Sequence, residues 1–104
     1  MNDNTFQKLQ ERIVDWSMNT LKDPPLDGTL RHLAEEVDDL RSNPYDPLAL
    51  ADVFILLMGI CSKVGFSMDD MAVAVSSKQA INESRLWKEA DEEGIIRHCE
   101  ETRF

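Results

Sequence analysis

Apolar residues recur at helical spacing along most of this chain, and clusters of proline and glycine divide the pattern into four segments. The first segment predicts a helix from about Thr5 to Leu21, with polar residues between the members of its apolar stripe. That stripe consists of Phe6, Leu9, Ile13 and Trp16. The stretch from Lys22 to Gly28 contains two prolines and a glycine, which predicts a loop. A second helix is then expected from Thr29 to about Ser42, with Leu30, Leu33, Val37 and Leu40 on one face.

The second half of the chain predicts two further helices and a less regular tail. A helix from about Pro47 to Val64 is apolar almost all round, which is typical of the central helix of a bundle. Gly65 is a natural stop for it. Ser67 and the acidic residues after it predict the start of a fourth helix, from Met68 to about Glu89. Beyond Ala90, Gly94 interrupts the pattern, and the tail is a short strand, an extended arm or another helix.

Length and composition narrow the class of protein. A chain of 104 residues with four glycines, four prolines and few β-branched clusters favours one small all-α domain, residues 1–104. A core of this size often gains burial by oligomerisation.

The net charge of −9 argues against binding to nucleic acid polymers, whose phosphates it would repel. The apolar run from Leu48 to Cys61 is too short to span a membrane. Two cysteines make no disulfide framework and nothing resembles a signal peptide, so we expect a cytoplasmic protein.

Carboxylates concentrate on the second predicted helix and recur once inside the third. Glu35 and Asp39 are four residues apart and Glu36 and Asp39 three, so each pair shares a helix surface. Asp52 interrupts the most apolar run of the chain, where a charge is costly unless a cation or donor meets it. Four carboxylates from two helices offer the oxygen ligands that Mg²⁺ prefers, and two such ions would activate a water and neutralise a triphosphate. The alternatives are a solvated acidic face and an Asp52 that faces solvent or pairs with a Lys or Arg.

The fourth predicted helix carries a complementary set of residues. Lys78, Asn82 and Arg85 are spaced i, i+4, i+7 and are expected on one face, where the cations would hold phosphate oxygens and the amide a sugar or base. Trp87 is expected either to stack on a ligand or to pack. His32 lies one turn before the acids and either contacts substrate or has a surface role. The alternative for the basic face is ion pairing with acids of a neighbouring helix.

These stretches resemble a known family in combination. Glu35-Glu36-Val37-Asp38-Asp39 is similar to the EExxE signature of the MazG-like all-α nucleoside triphosphate pyrophosphohydrolases, and Ala49-Leu50-Ala51-Asp52 falls where their ExxD signature belongs. The likeness covers roughly residues 29–98. The subfamily that it resembles most narrowly is the phage dATP/dGTP pyrophosphohydrolases, through residues 32–36, 51–57 and 78–82, then Arg85, Trp87, Gly94 and His98.

The resemblance implies an oligomeric helical bundle, a homodimer or homotetramer, in the host cytoplasm if phage-encoded. It implies hydrolysis of dATP or dGTP to the monophosphate and pyrophosphate, with Mg²⁺, or Mn²⁺ in its place, as cofactor. The metal ligands and catalytic residues implied are Glu35, Glu36, Asp39 and Asp52, and the substrate contacts are His32, Lys78, Asn82, Arg85 and Trp87. Ala49 departs from the pattern, since the signature has a glutamate there. It favours an alternative in which a weakened relative binds a nucleotide or a protein partner without cleaving it. A purely structural helical oligomer is a third possibility.

Overall fold

The computed structural model describes residues 5–100, which form four helices followed by an extended arm. The helices are α1 (Thr5–Thr20), α2 (Leu26–Ser42), α3 (Pro47–Lys63) and α4 (Met68–Glu83). Residues 1–4 and 101–104, including the end of the predicted tail, lie outside the described part. The all-α class predicted from the periodicity is confirmed, and the strand-like pairing found within residues 5–100 is a single isolated bridge in the arm.

The chain divides between Met71 and Ala72 into two compact units. The first unit contains α1, α2, α3 and the beginning of α4, and the second contains the rest of α4 and the arm. Within the first unit, α3 packs against both α1 and α2. The prediction that the most apolar helix is central therefore holds for this unit.

Local sequence signals define both ends of α3. Asp46 is the N-cap, and its carboxylate accepts a hydrogen bond of 2.9 Å from the backbone N–H of Leu48. At the other end Gly65 adopts φ +96°, a conformation that costs glycine little. The N–H of Phe66 then reaches back to the carbonyl of Cys61 at 2.8 Å, which closes the helix in a Schellman motif.

The start of α2 differs from the prediction. The helix begins at Leu26 and not at Thr29, so the predicted loop is shorter than expected. Pro25 has extended backbone angles (φ −64°, ψ 155°), and its carbonyl accepts the N–H of Thr29 at 3.1 Å. A proline at the boundary is compatible with a helix start, because its missing N–H is one that the first turn leaves unpaired. The two prolines therefore mark the beginning of α2 and not the middle of a loop.

The start of α4 agrees with the prediction and its end does not. The Ser67 hydroxyl accepts the N–H of Asp70 at 3.0 Å, and the Asp70 carboxylate accepts the N–H of Ser67 at 2.9 Å, which is a reciprocal capping box. The helix ends at Glu83 and not near Glu89. The Ser84 hydroxyl donates to the carbonyl of Ile81 at 2.7 Å, and such side-chain bonds compete with further helical turns.

The arm after α4 turns back on itself. Trp87 and His98 form an antiparallel bridge, and the flanking bond from the Lys88 N–H to the Arg97 carbonyl is 2.8 Å long. Of the three alternatives for the tail, the extended arm is confirmed for residues up to 100. Among residues 5–100, no single helix is both long and apolar enough to cross a membrane. Taken together as a bent pair, α3 and α4 have the length and apolar composition that a membrane span needs.

Asp91 organises the turn of the arm. One of its carboxylate oxygens accepts the backbone N–H groups of Glu93 and Ile95, both at 2.9 Å, and the other pairs with the Arg97 guanidinium. Gly94 completes the turn with φ +82°. The Arg97 guanidinium, followed by the backbone donors, lowers the pKa of Asp91 below its usual value.

A buried amide, and not only apolar packing, ties the first unit together. Among the described residues, Met58 is the one buried hydrophobic residue, at 7% exposed, whereas Gln10 is 3% exposed. The Gln10 amide donates hydrogen bonds of 3.1 Å to the carbonyls of Met58 and Phe66. Gln7 extends this network, because its own amide oxygen accepts the N–H of Met68 at 2.8 Å. α1 is thereby joined to the end of α3 and the start of α4.

Candidate active site

A pocket of about 610 Å³ lies inside the first unit, between α1, α2 and α3. The wall contributed by α1 is mainly apolar, and the walls contributed by α2, α3 and the loop before α2 carry the charged groups. The apolar wall includes Ile13, Val14, Trp16 and Met18 of α1, together with Leu21 just after this helix. The charged or titratable side chains of the lining are Asp23, His32, Glu36, Asp52 and Lys63.

Three polar residues of α2 face the pocket on one stripe. Thr29, His32 and Glu36 are spaced i, i+3, i+7, which places them on the same side of a helix. The imidazole Nε2 of His32 lies 3.3 Å from a carboxylate oxygen of Glu36. The Glu36 side chain is 20% exposed, so it is the more shielded member of the pair. A protonated His32 would form an ion pair with this carboxylate.

Asp52 reaches the same pocket from α3, but its surroundings differ from the prediction. The apolar sequence around it indicated a shielded carboxylate, whereas the residue is exposed. The reason is that α1 and α2 cover only part of α3, and Phe54 and Leu57 are exposed beside it as well. Asp52 and Glu36 are nevertheless brought to one cavity from neighbouring helices.

The other two predicted ligands, Glu35 and Asp39, do not line the pocket, and both are exposed. No group of three or more carboxylate, histidine or cysteine side chains within residues 5–100 is arranged to hold a metal ion. The assignment of four metal ligands stays a prediction.

The donor set of the pocket is compatible with a hard divalent cation. Glu36 and Asp52 supply carboxylate oxygens, the ligand type that Mg²⁺ and Mn²⁺ prefer. Ala49 lies one turn before Asp52 on α3, where its methyl group offers no donor. Glu36 of α2 and Asp52 of α3 are therefore two carboxylates of the kind that a divalent ion binds, both facing this pocket.

The remaining predicted contacts belong to the second unit. Lys78 and Asn82 lie on α4, but Arg85 lies beyond the end of that helix, so the predicted face shared by all three is wrong for Arg85. Trp87 donates its indole N–H to the Asn82 carbonyl at 2.8 Å, and its ring meets His98 edge-on with centroids 5.8 Å apart. Packing, one of the two alternatives for Trp87, is thus observed, and the substrate-binding role of these residues stays a prediction.

The sequence patterns did not predict the ion pair at the other end of the pocket. Lys63 of α3 and Asp23 of the loop before α2 form an ion pair with 2.6 Å between nitrogen and oxygen. The two residues are separated by 40 positions in the chain, and neither belongs to a recognisable spacing. The available signal was a lone lysine in the last turn of an apolar helix, which predicts a C-terminal charge and no specific partner.

The pocket, the helix order and the acidic stretch can be compared with known proteins. The sequence profile of the dATP/dGTP pyrophosphohydrolase family matches residues 9–102. A dATP/dGTP diphosphohydrolase of cyanophage S-2L is 35% identical over 96 residues, which are 90% of this chain and 88% of that protein. A dATP/dGTP diphosphohydrolase of Salmonella phage PMBT28 is also 35% identical, over 90% of this chain but 31% of that protein.

The fold is similar to a solved structure as well. That structure is a cyanophage S-2L MazG-like pyrophosphohydrolase bound to dGDP and three catalytic Mn²⁺ ions per active site. The TM-score is 0.78 at 34% sequence identity, and the match covers 91% of this chain and 97% of the solved chain. The sequence profile, the phage relatives and the solved structure agree, and the chain therefore belongs to the dATP/dGTP pyrophosphohydrolase family of MazG-like all-α enzymes.

Proposed function

We propose that this chain hydrolyses dATP and dGTP to the monophosphate and pyrophosphate in a Mg²⁺-dependent reaction. The observation that carries the proposal is the meeting of Glu36 and Asp52 in one pocket of a chain that belongs to this family. The cyanophage relative with the same fold is bound to dGDP and Mn²⁺, which supports a nucleotide and a divalent ion as joint ligands.

Glu36 and Asp52 would hold the ion, together with Glu35 and Asp39 of α2. When bound, the ion would supply neutralisation of the phosphate charges and Lewis-acid activation of a water. His32 lies beside Glu36 and would keep that carboxylate oriented. Its imidazole also lines the pocket and is placed to contact substrate. A net charge of −9 would otherwise repel a triphosphate, so the ion is required for binding as well as for chemistry.

In the second unit, Lys78 and Arg85 would contribute cations to the phosphates, and Asn82 and Trp87 contacts to the sugar or base. A guanidinium binds phosphate oxygens bidentately, whereas a lysine acts as a point charge. This part of the proposal rests on the types of these residues and on their likeness to the phage subfamily.

The test is release of pyrophosphate from each of the four dNTPs by the purified chain in Mg²⁺ and in Mn²⁺. We expect turnover of dATP and dGTP, little turnover of the pyrimidine nucleotides, and none in the presence of a chelator. Monophosphate together with inorganic phosphate would point to a different cleavage. Absence of turnover with every nucleotide in both metals would refute the enzymatic proposal.

Asp52→Asn tests the carboxylate of α3 without a large change in shape. Loss of an anionic ligand from the ion should reduce kcat/KM by two orders of magnitude or more, since outer positions alone typically contribute roughly 10–100-fold. Asp38→Asn is the matched control. Asp38 belongs to the same acidic stretch, but its side chain is 74% exposed and faces Arg41 at 3.6 Å, outside the pocket. Equal losses in the two variants would contradict the assignment.

A second candidate function is nucleotide binding without hydrolysis, and Ala49 is the observation that favours it. Ala49→Glu would add a carboxylate one helical turn from Asp52. If the natural chain is a binder or a weakened enzyme, this variant should gain at least tenfold in pyrophosphate release. An unchanged or lower rate would indicate that the natural ligand set is already sufficient.

We also propose that the functional form is a homodimer or homotetramer. The support is the amount of apolar surface that the single chain leaves exposed on α1 and α3: Phe6 is 63%, Trp16 55% and Phe54 54% exposed. These three side chains line an apolar groove of about 730 Å³ between the two helices. Light scattering coupled to size-exclusion chromatography should give a mass of two or four chains, and a monomer at micromolar concentration would contradict the proposal.

A further inference from the structure

The pocket of the first unit has a second charged end, far from the proposed metal site. Lys63 is the one Lys or Arg among the described residues that line the pocket. It lies three helical turns after Asp52 on α3, roughly 16 Å along the helix axis at 1.5 Å per residue. Its amine lies 2.6 Å from a carboxylate oxygen of Asp23, and the two side chains are 23% and 58% exposed. A donor and an acceptor are thus fixed side by side, facing the same cavity as Glu36 and Asp52.

The backbone around Asp23 is held in an unfavourable conformation. Lys22 and Asp23 have φ angles of +59° and +52°, values that residues other than glycine adopt rarely and at a cost. Consecutive residues in this region persist only where their surroundings fix them, and they concentrate at ligand sites. Here the conformation places the Asp23 carboxylate against Lys63.

The space between the two ends suits a flat apolar group. The apolar lining includes Trp16, Met18 and Leu21, and on α3 Ile55 and Leu56 lie between Asp52 and Lys63. Gly59 lies on α3 between Asp52 and Lys63, and a Cβ added there would meet nothing within 4 Å. The middle of the pocket is therefore both apolar and open.

We propose that Asp23 and Lys63 bind the hydrogen-bonding edge of the purine base, so that this ion pair determines base selectivity. The inference rests on the proposed function, because the phosphates are then held near Glu36 and Asp52 at the other end. A nucleotide spans this separation between its phosphates and its base. Inorganic pyrophosphate is too short to span it, which argues against Lys63 as a contact to the phosphates held near Glu36 and Asp52.

The chemistry of the pair is complementary to purines. Guanine presents O6 as an acceptor next to the N1–H and the 2-amino group as donors, and Lys63 with the two oxygens of Asp23 supplies one donor and two acceptors. Adenine presents its 6-amino donor beside the N1 acceptor, so the same pair matches it with two hydrogen bonds. Lysine bound to O6 and carboxylates bound to amino groups are recurrent pairings with bases. Guanine gains one charge-assisted bond more than adenine.

The test compares dGTP with dITP, which differ by the 2-amino group alone. For the wild-type chain we expect kcat/KM to favour dGTP roughly tenfold or more, the effect of one hydrogen bond to a charged group. Asp23→Gly removes the carboxylate while allowing the positive φ, and should reduce this preference to within about twofold by lowering the value for dGTP. Lys63→Met should raise KM for both nucleotides by roughly tenfold, since both carry O6.

Asp27→Asn and Arg31→Met are matched controls. They break an exposed ion pair of 2.8 Å on α2, whose side chains are 78% and 79% exposed and do not line the pocket. Neither control should change the ratio of dGTP to dITP. The same comparison is made for binding, with dGDP and dIDP titrated calorimetrically in Mn²⁺, and pyrophosphate as the ligand without a base.

The outcomes separate this inference from the proposed function. Hydrolysis of dGTP with no preference over dITP overturns the inference and leaves the proposed function intact. Tighter binding of dGDP than dIDP without hydrolysis supports the inference and refutes the proposed function. An unchanged ratio in Asp23→Gly with a lower melting temperature would identify the pair as a loop anchor. Weakened pyrophosphate binding in Lys63→Met would identify a phosphate contact. Either of these last two results overturns the inference.

Discussion

Replacement of Gln10 by methionine should destabilise the chain strongly, although the side chain keeps nearly the same length and volume. Gln10 is 3% exposed and takes part in three hydrogen bonds of 3.1 Å. Two are donated by its amide to the carbonyls of Met58 and Phe66, and one is accepted from the amide of Gln7. Each such bond contributes about 0.5–1.5 kcal/mol net, and a buried group left without a partner costs more. Gln10→Met should therefore lower the free energy of unfolding by about 2–4 kcal/mol.

The assay is urea unfolding followed by far-ultraviolet circular dichroism, with Gln79→Met as the matched control. Gln79 is exposed, and its amide donates to Glu83 at 3.2 Å on the surface of α4. Exposed substitutions of this kind usually change stability by less than about 0.5 kcal/mol. For Gln10→Met we expect a lower transition midpoint with an unchanged slope, since the surface exposed on unfolding stays the same.

A loss below about 0.5 kcal/mol in Gln10→Met would refute the view that this amide joins α1 to α3 and α4. An equal loss in Gln79→Met would refute it too, because the effect would then follow from glutamine in a helix and not from burial. A reduced slope would indicate a changed native or unfolded state, and the hydrogen-bond explanation would not apply.

Two further predictions concern the arm and the middle of the pocket. The Arg97 guanidinium holds the pKa of Asp91 below the value that this carboxyl has in the unfolded chain, which is about 4. The Asp91 carboxylate therefore stabilises the arm fully above about pH 4, and this contribution is lost as the pH falls through the lower pKa of the folded state. The NMR shifts of the Glu93 and Ile95 amide protons, which donate to this carboxylate, should therefore stay constant from neutral pH to about pH 4 and change below it. Asp91→Ala should lack this transition, and a transition of these two amides near neutrality in the wild type would contradict the prediction. Gly59→Leu should block the pocket without destabilising α3, because the position opens onto empty space and leucine is a better helix former by roughly 0.8 kcal/mol. Its melting temperature should hold or rise while dGDP binding is lost, and retained binding would place the ligand elsewhere.

The helices were predictable where local signals and periodicity agreed. Gly65 and Ser67 mark helix ends in the sequence, and the backbone angle of the one and the hydroxyl of the other perform that role in the structure. The predicted helix ends were wrong where an unusual local arrangement determined where the helix begins or ends. Pro25 begins α2 although prolines usually indicate a loop, and side-chain bonds such as that of Ser84 end α4 early although its sequence remains compatible with a helix.

The candidate site was predictable in part, for a physical reason. Helical spacing places Glu36 on a definite face of α2, and that face turned out to line a pocket with Asp52. The pairing of Lys63 with Asp23 depends on how a short strained loop returns to the end of a distant helix, which no spacing encodes. Arg85 was misplaced because its assignment to a helix face depended on where α4 ends.

The exposure of Asp52 changes the argument for a metal ion. From the sequence, the cost of burying a charge in an apolar helix called for a cation, but an exposed carboxylate is solvated and carries no such cost. Affinity for an ion would then depend on how many carboxylates bind it. Their mutual repulsion and the loss of side-chain entropy on ordering oppose that binding. Ala49 removes one carboxylate from that number on α3, while α2 keeps Glu35, Glu36 and Asp39. If the proposed ligands are right, binding of a second ion would depend more on α2 than it would in a relative with both signatures complete, and Ala49→Glu is the substitution most sensitive to that difference.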